Sequence, residues 1–199
     1  EAGYDVSLIV ADGLGNETKQ GVKIIDVGRA EASRIKRMIR TSRKAVDLAL
    51  GMNADIYHFH DPDLLIEALR LRKKACVIFD SHEDFPALMK QRDYIPDFAR
   101  KVLFRLCTLI EKYSAKRLSA VVCATETIQD KFARYGNIRV VVVKNYPVFS
   151  SCESETTNSY DTTKPVCYVG GLTALRGVKE MVEACSKAGV KLLLAGEFD

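Results

Sequence analysis

Apolar residues in this chain fall into short continuous runs separated by longer stretches of helical spacing. Strands are predicted at residues 4–10, 22–27, 55–60, 76–80, 120–124 and 139–144, and helices at 31–51, 63–74, 96–118 and 126–135. Pro62 and Pro96 stand where they can open helices, because proline at a first helical position gives up no bond. Continuously apolar strands such as 140–143 suit a parallel sheet covered on both faces. The pattern predicts an α/β fold with a Rossmann-like, doubly wound parallel sheet.

The pattern breaks at residue 147. Residues 147–164 are polar and turn-rich without periodicity, and read as a linker. From 165 a new unit begins, with a strand at 166–169, a Gly170-Gly171 turn, a helix at 176–187 and a strand at 190–195. The predicted plan is a first domain over 1–146, the linker, and the opening of a second domain over 165–199. One β-α-β unit cannot bury both faces of its strands, so the second domain is expected to be cut short. Glu1-Ala2-Gly3 reads as the glycine-capped end of a helix, so the first strand and helix of the first domain are expected to be missing.

Hydrophobic residues make up 47% of the 199 positions, enough for a core, and a net charge of +4 is too small to argue for nucleic acid. The six cysteines contain no CxxC pair and read as buried thiols of a reducing compartment rather than a disulfide framework. No apolar run reaches the length of a membrane span. A cytoplasmic protein is expected.

Chemistry concentrates in two stretches, Ile56-Tyr-His58-Phe-His60-Asp61-Pro-Asp63 and Val77-Ile-Phe-Asp80-Ser-His82-Glu83-Asp84. Each starts as a strand and ends in histidines and carboxylates, with a helical pattern between. Two strands joined in this way run parallel, so both polar ends fall at the carboxyl edge of the sheet, where open α/β sheets bind ligands. All three histidines are expected at that rim. His58 and His60, two apart on a strand, share a face. Asp61 or Asp63 can instead serve as a cap for the helix that follows.

These motifs, with "EAGYDVSLIVADG", "VVVVKNYP" and "CYVGGLTALRGV" in the same order, resemble the family 4 glycosyltransferases, nearest those of capsule, O-antigen and other surface-polysaccharide pathways. The resemblance implies a retaining enzyme of the two-domain GT-B fold, with the acceptor on the first domain and the nucleotide-sugar on the second. It implies that His82 faces the donor sugar near the reacting carbon, and that His58, His60, Asp61 and Glu83 line the acceptor side of the cleft. Gly170, Gly171 and Arg176 match the family's phosphate-binding turn, with Arg176 at the usual lysine and Gly171 replacing the usual arginine. A nucleotide-diphosphate sugar is the implied co-substrate and a saccharide or lipid-linked saccharide the acceptor. No metal is expected, since helix dipole and basic residues hold the diphosphate. The family's two-glutamate motif is not present, so the chain by itself is expected to be inactive.

Two other classes compete. A metal-dependent hydrolase could use His58, His60 and His82 with Asp80 and Asp84, although no further histidine follows on later strands. A non-catalytic glycan-binding α/β module is the other. A dinucleotide dehydrogenase is disfavoured, because Gly13-Leu14-Gly15 lacks the third glycine and the helix start. Finally, Arg34, Lys36, Arg37, Arg40, Arg43 and Lys44 crowd one predicted helix with no acid among them, and Ile35, Met38, Ile39 and Val46 fall along one stripe. Such a helix can lie on an anionic membrane, with Arg37 and Arg40 facing it, at the inner face of the cell membrane.

Overall fold

A computed structural model describes residues 3–91, 95–146 and 164–197, with only the backbone of Arg34, Gln91 and Leu175. The chain forms two compact units, Glu1–Pro147 and Val148–Asp199. The expected linker lies, apart from Lys164, outside the described residues.

The first unit is centred on a parallel sheet in the order β4 (Ile56–Phe59), β5 (Cys76–Ser81), β6 (Ala120–Cys123) and β7 (Val140–Val142). Burial alternates along these strands. Tyr57, Phe59, Val77, Phe79, Val121 and Cys123 point into one core, packed by Leu65 and Leu71 and by Phe132 from the Glu126–Ala133 helix. Coverage of both faces, expected from the apolar runs, is less complete on the opposite face: Ile78, Asp80 and Val122 of the inner strands are half-buried, while Ile56 and His58 of the edge strand β4 are exposed. The two earliest predicted strands form a separate sheet. In it β1 (Ser7–Val10) runs parallel to β3 (Val22–Asp26), and β2 (Glu17–Lys19) pairs antiparallel with β3. Strand β2 is too polar to be read from hydropathy. It is set by a two-residue turn, Gln20-Gly21, whose φ angles of 52° and 82° are both positive, as a primed hairpin turn requires.

Two helices differ from expectation for identifiable reasons. The segment after β4 is a pair of 3-10 helices, Pro62–Leu64 and Glu67–Lys73, rather than one α-helix. Its buried residues Leu65, Ala68 and Leu71 recur every third position, which is the eclipsed spacing of a 3-10 helix. The basic helix begins at Arg34–Lys36, passes through a π turn at Arg37–Thr41 and continues as Ser42–Met52. The surplus residue of that turn splits the expected apolar stripe, so Val46 is buried whereas Ile35 and Ile39 are exposed. The acids missing from this stretch of sequence come from elsewhere. Arg37 Nε binds Asp63 Oδ2 at 2.8 Å, and Arg40 faces Glu31 at 3.6 Å.

The long helix Asp97–Ala115 is tied to Glu126–Ala133 by a buried carboxylate. Glu111 is fully buried, and Lys131 Nζ reaches it at 2.8 Å while the Tyr135 hydroxyl donates to it at 2.8 Å. Burial outweighs the pull of Lys131 and holds the Glu111 carboxyl above its ordinary value. Of the five described cysteines only Cys123 is buried, with its thiol pushed up to about 11 by desolvation. The others occupy half-open or exposed positions, contrary to the expectation of buried thiols: Cys76 and Cys167 are exposed on β-strands, and Cys107 and Cys185 are half-buried on helices.

In the second unit β8 (Val166–Val169) and β9 (Leu192–Ala195) pair in parallel, joined through a 3-10 turn at Ala174–Arg176 and the helix Val178–Ala188. Gly177 and Gly189, with φ of 71° and 67°, bound that helix. Arg176 therefore precedes the α-helix instead of opening it.

Candidate active site

The two histidine-bearing stretches meet as strand order requires. Neighbouring parallel strands bring His58 of β4 opposite Ile78 of β5, and His60 and His82 follow the last residues of their strands. At the centre is Asp80, near the end of β5 and mostly shielded. Its Oδ2 lies 3.3 Å from His58 Nε2 and 3.4 Å from His60 Nδ1, and its Oδ1 lies 3.4 Å from His82 Nε2. The His58 and His60 rings stack at 4.8 Å. His60 Nδ1 and His82 Nε2 are 3.2 Å apart.

Asn145, just beyond β7, positions the ring of His82. Its amide nitrogen is 3.1 Å from His82 Nδ1 and donates to it. The other ring nitrogen, Nε2, faces His60 Nδ1 and Asp80 Oδ1. Burial lowers the pKa of His60 below its usual value, more than the attraction of Asp80 raises it. The cluster thus combines a positioned imidazole at His82 with a carboxylate hub and an open side: the His60 side chain is 61% exposed.

Other residues named from the sequence serve the scaffold. Asp61 caps the Pro62–Leu64 turn, its side chain accepting from Asp63 N–H at 2.8 Å. Asp63 itself is buried against Arg37. Asp84 caps Phe85–Leu88 and contacts Lys131 at 3.3 Å. Glu83 is exposed beside His82, and its carbonyl accepts from the Ser81 hydroxyl at 3.2 Å. Asp80 and Asn145 are the residues least visible beforehand. An acid ending an apolar run and an asparagine after a strand are common, and only strand order makes them partners.

In the second unit Gly170 has a structural task. Its N–H donates to Ala195 O at 2.9 Å, and a Cβ on Gly196 would stand 1.7 Å from Gly170 O, so position 196 is confined to glycine by close backbone approach, while a Cβ on Gly170 would meet the Tyr168 hydroxyl at 3.0 Å. Gly171 has open space about its Cα, and Arg176 is exposed. The Gly13 and Gly15 loop of the first unit is closed to phosphate. With Gly28, its amides donate to the Asp26 carboxylate, and those bonds hold that carboxyl below its ordinary value.

The chain belongs to glycosyltransferase family 4, whose family model matches residues 1–146. Among solved structures it is similar to sucrose-phosphate synthase from Thermosynechococcus elongatus, with a TM-score of 0.67 at 15% identity, over 100% of this chain and 54% of that one. That likeness is one of fold: α/β with parallel sheets, Rossmann-like, matching part of a GT-B glycosyltransferase. The chain spans about half the length of that protein. No curated protein matches it.

Proposed function

We propose that this chain is part of a longer retaining glycosyltransferase that moves a hexosyl group from a nucleotide-diphosphate sugar to a saccharide or lipid-linked acceptor in surface-polysaccharide assembly. The observation that carries this reading is His82, held in place by Asn145 at the edge of a parallel sheet. Glycosyl transfer passes through an oxocarbenium-like state, in which the ring must be oriented and kept from water. The His82 Nε2–H can turn from Asp80 to a donor-sugar hydroxyl without offering a carboxylate that would trap the sugar. His58, His60 and Glu83 supply the acceptor side, while Gly171 and Arg176 serve the donor diphosphate with Gly170 shaping the turn. Asp61 contributes through its cap.

The membrane part of the reading rests on a different helix from the one expected. Arg37 is engaged by buried Asp63, whereas Asp97–Ala115 turns Phe98, Val102, Leu106, Leu109 and Tyr113 outward along one stripe, with Phe98 80% exposed. Lys101, Arg105 and Lys116 border this stripe, and the acids of the helix are Glu111, which is buried, and Asp97, which is paired with Arg100. Apolar side chains bordered by cations complement an anionic bilayer surface, while the same charge repels a second copy. No helix among the described residues is long and apolar enough to cross a membrane.

In the complete protein, His82→Ala should lower kcat by about 100-fold or more, with nucleotide binding nearly unchanged, since it removes an interaction made at the reacting sugar. Turnover and product anomer are read with nucleotide-sugar panels. An unchanged kcat removes His82 from the mechanism, and glycan binding with no turnover of any donor supports a non-catalytic module instead.

A further inference from the structure

The 3-10 turn Met89–Gln91 and the amino-terminal half of Asp97–Ala115 border an open cavity of about 580 Å³, lined by Lys90, Asp97, Arg100, Lys101, Phe104 and Arg105. Four cations and one acid share it. The acid is already engaged: Asp97 pairs with Arg100, which also donates to Lys90 O at 3.3 Å and so ties the turn to the helix. Lys90 Nζ lies 3.8 Å from the centre of the Phe104 ring, a cation–π contact that holds it at the cavity wall. Lys90, Lys101 and Arg105 have no ion pair among the described residues. Helix stabilisation does not account for them, because basic side chains favour the carboxyl-terminal turn of a helix and these lie in or before its first half. Three unpaired cations around one cavity are complementary to an anion.

The surroundings narrow the choice of anion. Phe98, Val102 and Leu109 are exposed and stand three or four residues from Lys101 or Arg105, so an apolar stripe runs beside the cations. On the other side, Asp84 caps Phe85–Leu88 and Met89–Gln91 continues it, so roughly 12 Å of helical rise separates His82 and Glu83 from the cavity. We propose that the cavity holds the diphosphate of a lipid-linked saccharide acceptor, with the hydrocarbon chain along the stripe and the sugar end toward the histidine rim. This rests on the transferase reading and names its acceptor. A diphosphate joining lipid to sugar carries two negative charges where a bilayer phosphodiester carries one, and three free cations match the former. Its several oxygens also suit the Arg105 fork together with two lysine ammonium groups.

The test is calorimetric titration of the purified chain, with chelator present, using farnesyl diphosphate, farnesol and inorganic diphosphate as probes. One equivalent of farnesyl diphosphate should bind, at least about 10-fold more tightly than inorganic diphosphate, because the chain buries apolar surface. Farnesol should bind more weakly still. Lys101→Gln with Arg105→Gln should weaken both diphosphates by about 10-fold or more, whereas Arg72→Gln with Lys73→Gln, on a different helix, should change them by less than about 2-fold. Val102→Ser with Leu106→Ser should weaken farnesyl diphosphate alone. Circular dichroism checks that each variant is folded. In the complete enzyme, the Lys101 and Arg105 pair of changes should raise KM for a lipid-diphosphate acceptor and leave KM for the donor as it was.

No binding of farnesyl diphosphate overturns the site, as do equal losses from the two pairs of cation variants, which would mark bulk charge. Sedimentation with phosphatidylglycerol vesicles but no binding of farnesyl diphosphate assigns this face to the bilayer and overturns the cavity. An unchanged acceptor KM overturns the acceptor assignment. The titrations involve no sugar transfer, so the two readings fail separately. Transfer to a saccharide without farnesyl diphosphate binding refutes this site alone, and binding without transfer by the complete protein refutes the transferase reading.

Discussion

The β4–β7 sheet and the β8–β9 pair are built from the same β-α-β grammar, yet they hold their polar ends in different ways. In the first, Val77, Phe79, Val121 and Cys123 are fully buried, and the histidines, Asp80 and Asn145 hydrogen-bond or pair across three strand ends. In the second, Val178–Ala188 has no buried residue, Leu172 is the buried hydrophobic among the described residues, and the turn is shaped by glycine backbones. A dense core fixes side chains, whereas a thin one fixes only backbone. Precise side-chain chemistry is therefore expected at the first edge, and backbone-amide chemistry at the second.

The largest effect should come from the core of the first sheet. Phe79→Ala should cost about 3–5 kcal/mol, while Leu193→Ala on half-open β9 should cost about 1 kcal/mol or less. Urea unfolding with hydrogen exchange resolves the two units, and equal losses would dissolve the distinction. Lys131→Met should follow at on the order of 3 kcal/mol, since it leaves the Glu111 carboxylate buried without its cation. The double variant with Glu111→Gln should recover much of that loss, and failure to recover would show that Lys131 acts by packing.

Smaller effects sharpen the glycine turn. Gly196→Ala should destabilise the second unit by about 1–3 kcal/mol through its clash with Gly170 O, whereas Gly171→Ala, in open space, should change stability by less than about 0.5 kcal/mol. Equal effects of the two would mean that the β8–β9 contact is not the reason for glycine. The smallest effect is one of pH. The Glu111 carboxyl is raised above 4.5, so the folded state holds its proton more tightly than the unfolded chain does. Its contribution is complete below 4.5 and is lost as pH rises through the folded value. The difference in unfolding free energy between Glu111→Gln and the parent should accordingly move in favour of the variant as pH rises from 4.5 toward neutrality. A flat difference would show that Glu111 carries no such shift.

Sequence pattern made the strands and the histidine rim legible for one reason. Period-2 burial and a short crossover leave little freedom in where the ends of β4 and β5 fall. The missed features depend on what long-range packing decides. The 3-10 form shows only once Leu65, Ala68 and Leu71 are known to be the buried set, and Asp80 becomes a hub only when the ends of β4 and β5 lie side by side. Arg37 reads as a free surface cation until Asp63, 26 positions later, is brought beneath it. Polar β2 announces itself by its turn and not by hydropathy.

The π turn at Arg37–Thr41 has a consequence best stated as phase. An α-helix advances about 100° per residue, so one surplus residue sets the two halves of this helix that far out of step. The half ending at Met52 keeps Val46 and Ala49 on the core, while the earlier half is rotated to swing Arg37 over Asp63. Ser42 latches the junction, its N–H and its hydroxyl both reaching Arg37 O and the hydroxyl also reaching Asp63 O at 3.1 Å. The helix thus works as two keys cut on one shaft. Rewinding the turn as uninterrupted α-helix, with every residue kept, would bring Ile35 and Ile39 back into line with Val46 and carry Arg37 off its carboxylate, whereas deleting the surplus residue would leave the two halves phased as they are.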